Sequence, residues 1–144
     1  MNISRPLLDE LLAHVREDPR NECCGVVAVE PAVEPGESAR AVRVYRATNI
    51  HASPLKFEIA PDELLRLWQA IDRGGDELGA IYHSHVRSAP YPSQTDINFA
   101  ASWPGVEWII VGLADPDAPE VRSYMIDGGQ VEEVALTEDA EDPT

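Results

Sequence analysis

The sequence predicts a single α/β domain with a mixed sheet flanked by helices, and three observations carry that prediction. Two segments repeat apolar residues at helical spacing, several short apolar runs separate them, and the two kinds of segment alternate along the chain. At 144 residues the chain can bury one core but not two. A hydrophobic fraction of 44% with 26% charged residues is that of a globular chain, which excludes disordered and fibrous architectures.

Taken in order, Leu7, Leu8, Leu11, Leu12 and Val15 recur at helical spacing, and Ser4 with Pro6 supplies a helix start. Cys24 to Val29 is short, apolar and rich in valine, which predicts a buried strand, and Pro31 to Gly36 predicts the surface loop that closes it. The alternations Val42 with Val44, and Phe57 with Ile59, predict two further strands. Leu64, Leu65, Trp68 and Ile71 then form one helical stripe with Trp68 expected in the core, Asp62 as N-cap and Gly74 or Gly75 as the stop. Leu78 to Tyr82 reads as an interior strand ending where His83 begins, and a short helix starts at Thr95. Val106 to Leu113 predicts another central strand, and Val121 to Ile126 with Val131 to Val134 predict a hairpin across Gly128 and Gly129. The folded domain is expected over 1–136. Glu138, Asp139, Glu141 and Asp142 make 137–144 an acidic tail that should stay solvated and disordered.

The formal charge of −15 and a pI near 4.4 repel phosphate backbones and anionic lipid, which excludes nucleic acid and membrane surfaces as partners and leaves cations and basic protein surfaces. Met1 to Arg5 shows no basic segment leading into an apolar stretch, and no apolar run approaches the ~20 residues a membrane helix needs. The expectation is a soluble, cytoplasmic protein. Cys23 and Cys24 are adjacent, poor geometry for a disulfide, and read as reduced thiols that serve packing, with Cys24 facing the core. A thiol dyad with a histidine is the competing reading.

The chemistry concentrates in YHSHVRSAPYPSQTD, residues 82–96. His83 and His85 are two apart, so on extended chain both imidazoles point the same way and can reach one divalent ion. Asp96 lies eleven residues after His85, beyond a proline-containing loop and in the first turn of the expected helix, where it can supply a third ligand. Two histidines and one carboxylate leave tetrahedral zinc with an open position, as catalytic sites do, so that a metal-bound water becomes the reagent. A base is then needed, and Glu22, just before the strand at Cys24, is a candidate that composition alone does not select from so many acidic residues. Ser93 and Glu22 each have a plainer reading, as a helix cap and as a surface carboxylate. His14 and His51 show no ligand spacing and are expected at the surface, and Asn49 and Ser53 lie in a loop that could approach the site.

HSH, seven residues, Ser, two residues and Asp, with a glutamate upstream at a strand start, resembles the JAMM (MPN+) metalloprotease signature. The resemblance implies that His83, His85 and Asp96 hold one zinc ion per chain, that Glu22 is the acid/base and that Ser93 steadies the oxyanion. It also implies a JAMM-type α/β domain with a curved sheet flanked by helices. The phrases NECCGVVA, IYHSH, PYPSQTD and RSYMIDGGQVEE are similar to the compact bacterial Mec branch, and the likeness runs from the first helix to the final hairpin. That branch implies hydrolysis of the bond between the C-terminal glycine of a small ubiquitin-like sulfur carrier (CysO or ThiS type, ending in diglycine) and cysteine, releasing cysteine for its biosynthesis. Arg87 could then bind the product carboxylate, its plainer reading being an exposed loop arginine. A broader isopeptidase acting on lysine conjugates and a metal-free MPN scaffold are the alternatives.

Overall fold

A computed structural model describes residues 1–31 and 38–139. In chain order, β1 (Asn2–Ser4) leads into α1 (Arg5–Glu17), then β2 (Cys24–Val29), β3 (Ala41–Ala47), α2 (Pro61–Arg73), β4 (Glu77–His85) and α3 (Gln94–Ala100). The antiparallel run β5 (Glu107–Gly112), β6 (Glu120–Asp127) and β7 (Gln130–Val134) follows, and β8 (Thr137–Asp139) ends the described chain. Six strands form one mixed sheet in the order β3-β2-β4-β5-β6-β7. β4 therefore lies inside it, antiparallel to β2 and parallel to β5.

The two sheet faces carry separate apolar layers. Strand alternation sends Val27, Val29, Val44, Ala80, Tyr82, Ile109 and Val111 toward α1, whose Leu11, Leu12 and Val15 cover them. The opposite residues, Cys24, Val26, Ile81, Trp108 and Ile110, pack against Leu64 and Ile71 of α2 and Ala100 of α3. α1 starts at an N-cap Ser4 whose hydroxyl accepts from Leu7 N at 3.4 Å, with proline in the first turn. Gly25 faces Tyr82 across the β2–β4 ladder. A Cβ there would stand 2.4 Å from both the Tyr45 carbonyl oxygen and the Tyr82 ring, so only glycine fits.

Several expectations are corrected. Phe57 and Ile59 are not in a strand; they alternate because both are buried against the α2 face of the sheet. α2 begins one residue before Asp62, with Ala60 as N-cap and Pro61 at its first position, and Asp62 instead pairs with Arg66 at 3.2 Å. Trp68 is 50% exposed, on a shallow apolar surface with Pro61, Leu65 and Trp103. His14 is buried, its Nδ1 2.5 Å from the Tyr82 hydroxyl, whereas His51 is exposed and paired with Glu58. β4 runs through His83, Ser84 and His85, three residues beyond the expected end, because β2 and β5 continue the ladder on both sides. Thr137–Asp139, assigned to the tail, form β8 and pair in parallel with β1. The rest of the tail, 140–144, and most of the Pro31 to Gly36 loop lie outside the described residues. No helix among the described residues is long and apolar enough to cross a membrane.

Candidate metal centre

β4 delivers the first two candidate ligands. His83 pairs with Cys24 of β2 and Ile110 of β5, and His85 with Gly112, so the strand is paired to its last residue. Both imidazoles consequently leave the same face, the one carrying Phe57 and Trp108. Phe57 stacks on the His83 ring at 4.3 Å between centroids and 26° between planes, and Trp108 meets it edge-on at 6.4 Å. His83 is fully buried and His85 almost so.

The loop after β4 folds back because it is tied at several points. His85 Nδ1 lies 2.9 Å from the Ala89 carbonyl, and the Tyr124 hydroxyl donates to the Pro90 carbonyl at 2.5 Å. α3 then begins with Ser93 as its N-cap. The Ser93 hydroxyl accepts from Asp96 N at 3.1 Å while Ser93 N donates to Asp96 Oδ2 at 2.9 Å, a reciprocal capping box that fixes the carboxylate.

The result is a triangle of three donor atoms. His83 Nε2 and His85 Nε2 are 3.1 Å apart, and each lies 3.2 Å from Asp96 Oδ2. Ligand atoms ~2.0 Å from a tetrahedral ion stand about 3.3 Å from one another, so the spacing suits a small divalent cation. The protonation pattern agrees. A carbonyl only accepts, so His85 Nδ1 carries a ring proton toward Ala89 and Nε2 is left for the shared proton or cation at the triangle, the usual arrangement behind a metal ligand. Three electron-rich atoms converging at this distance need a cation or a shared proton between them.

Electrostatics follow from burial and this convergence. Burial opposes the charge on Asp96, but the two imidazoles and the Ser93 amide outweigh it and hold the carboxyl well below the usual carboxylate range. Burial pushes the His83 ring below the ordinary imidazole value, against the pull of Asp96. His85 feels the same burial, yet Asp96 and the Ala89 carbonyl reverse it and raise its ring.

Glu22 sits in the segment before β2, buried at 5% exposure, with Oε1 lacking a hydrogen-bond partner among the described residues. Its carboxylate and ring nitrogens of His83 and His85 all lie within 4.8 Å of one another. Burial pushes its carboxyl up to about 7, with His85 acting against and Asp96 with that shift. The structure thus brings together His83, His85, Asp96 and Glu22, with Ser93 at the edge as the cap of Asp96. Arg87 is exposed two residues past His85, outside the triangle. Cys24 is in the core, and Cys23 Sγ turns toward the Val15 and Asp18 carbonyls near the end of α1, away from the triangle. Phe57, Ala89 and Tyr124 support the site, a role that sequence assigned to none of them, because no spacing marks a residue that only backs or pins another.

Residues 4–127 match the family described as prokaryotic homologs of the JAB domain. A CysO-cysteine peptidase of Mycobacterium tuberculosis is 35% identical over 131 residues, covering 91% of this chain and 86% of that protein. A probable TtuB-protein conjugate cleaving protease of Thermus thermophilus is 36% identical over 135 residues, covering 93% and 80%. Among solved structures, a protein from Desulfitobacterium hafniense superposes with a TM-score of 0.83 at 29% identity, covering 97% of this chain and 94% of that one.

Proposed function

We infer that this chain, which belongs to the family of prokaryotic homologs of the JAB domain and is a JAMM-type metallopeptidase, hydrolyses the bond between the C-terminal glycine of a small ubiquitin-like sulfur carrier and cysteine. The observation that carries the reading is the triangle of His83, His85 and Asp96 with the buried carboxylate of Glu22 beside it. The catalytic domain is 1–136 with β8 added to it.

His83, His85 and Asp96 would hold one zinc ion per chain, and the donor set of two imidazoles and one carboxylate is the kind that zinc takes in catalytic sites. Zinc held there would supply Lewis acidity toward the scissile carbonyl and would make water easier to deprotonate. Glu22 takes the proton of the attacking water and returns it to the departing amine, a double duty that suits a buried carboxylate beside the two histidines. Asp96, held ionised, keeps negative charge on the ligand side, while the Ala89 carbonyl keeps the proton of His85 on Nδ1. The Ser93 hydroxyl already accepts from Asp96 N, so its own proton is available to the developing oxyanion. Arg87 pairs with the carboxylate of the cysteine released.

The name of the Thermus thermophilus relative favours a second reading, in which the scissile bond joins a ubiquitin-like modifier to another protein. The substrates separate the two readings: the purified protein is incubated with a carrier–cysteine adduct and with a carrier–lysine isopeptide. Cleavage of the cysteine adduct is expected, and cleavage of the isopeptide alone would overturn that specificity. A non-catalytic MPN scaffold predicts neither cleavage nor metal binding, and this chain keeps all three ligand residues and the glutamate.

A further inference from the structure

Glu22 and Cys23 precede β2, so most of their backbone groups lie outside the regular strand ladder. Their partners come from elsewhere. Glu22 N donates to the Ser53 carbonyl at 2.8 Å, and the Glu22 carbonyl accepts from Asn49 Nδ2 at 3.0 Å. Cys23 N donates to the Ser84 hydroxyl at 2.9 Å, and its carbonyl accepts from Ser84 N at 3.0 Å. The Ser84 hydroxyl belongs to the residue between the two histidines, which ties this segment to the strand bearing them.

Asn49 is the hub of the other side. Its amide nitrogen donates both protons, to the carbonyls of Glu22 and of Lys56, each at 3.0 Å. Its carbonyl oxygen accepts from His51 N and Glu58 N, each at 3.1 Å. One side chain therefore closes the loop 49–58 upon itself and fastens it to the residue bearing the carboxylate. Within the loop Ala52 adopts a φ of 44°, a left-handed conformation that non-glycine residues rarely take, and the turn presents the Ser53 carbonyl to Glu22 N. The same loop places Phe57 on the His83 ring.

The geometry points to Asn49 as a positioning residue for Glu22, clamping its backbone so that the carboxylate faces the two histidines. The role rests on Glu22 being the general base. An amide suits it because one planar group supplies two donors and an acceptor for two more bonds.

Asn49→Asp is the test, since it keeps size and acceptors but sets a carboxylate oxygen against the Glu22 and Lys56 carbonyls. With the zinc-loaded variant and a carrier–cysteine adduct, kcat is expected to fall on the order of 10–100-fold while KM and zinc content hold. Amide exchange at Glu22 is expected to speed up in step. Wild-type kcat and wild-type exchange would overturn the clamp, and so would a rise in KM alone. Loss of zinc from Asn49→Asp and Asn49→Ala alike would overturn it too, because Asn49 would then support the whole centre rather than Glu22. If Glu22→Gln retained full turnover, the base would be misassigned, and the exchange rates would still decide whether Asn49 holds that segment.

Discussion

Glu22→Gln should stabilise the metal-free protein at alkaline pH while removing its activity. The carboxyl titrates near 7 in the fold against 4.5 for the free group, because burial disfavours its charged form. Between those values the folded state holds a proton that the unfolded chain has released, so stability falls as pH rises through the window and levels off above it. A displacement of about 2.5 units at 1.36 kcal/mol each is roughly 3 kcal/mol. Glutamine has the same shape and no titration, so subtracting the two profiles cancels the ionisable groups remote from Glu22 and leaves its own titration together with its coupling to His85 and Asp96. The assay is urea unfolding of chelator-treated wild type and Glu22→Gln from pH 4.5 to 8.5. The variant is expected to gain roughly 3 kcal/mol on the wild type across that range, and added zinc should shrink the gap, since a nearby cation favours the carboxylate. Parallel profiles would mean that the carboxylate reaches water and is not a desolvated base.

Two further outcomes follow from packing and linkage. Gly25→Ala should destabilise the fold by about 1–3 kcal/mol or more, read from urea midpoints, because its methyl group would meet the backbone of β3 as well as the Tyr82 ring. A wild-type midpoint would show that β2 has room to move. Zinc at about 100 times its Kd should add about 2.7 kcal/mol, a melting-temperature rise of roughly 10 °C for a domain of this size. Asp96→Asn should show little of it, and an equal rise in that variant would place the ion elsewhere.

Helical periodicity and apolar runs revealed the elements that bury a face, and the convergence of His83 and His85 was legible because a strand sends residues two apart to one side. What escaped has physical reasons. β1 and β8 are three residues long and pair across most of the chain, so neither carries a periodic signal. Phe57 and Ile59 alternate like a strand, but Glu58 between them gives its amide to the Asn49 side chain and its carbonyl to Ile50 N. Trp68 shares a stripe with Ile71, yet α2 is covered on one side only, and half of the indole remains in solvent. His14 has no ligand spacing because its partner is the Tyr82 hydroxyl, a contact 68 residues away. Asn49 was named with Ser53 in a loop that could approach the site, but its role was not legible, because only the folded chain brings four backbone groups to its amide.

Zinc content tests the centre most directly, because Asp96 and Glu22 compete for the role of third ligand beside the two histidines. Elemental analysis of wild type, Glu22→Gln, Asp96→Asn and His85→Ala, each purified without chelator, should give about one zinc per chain for the first two and little for the others. Zinc lost from Glu22→Gln but kept by Asp96→Asn would contradict the assignment and make Glu22 a ligand rather than the base.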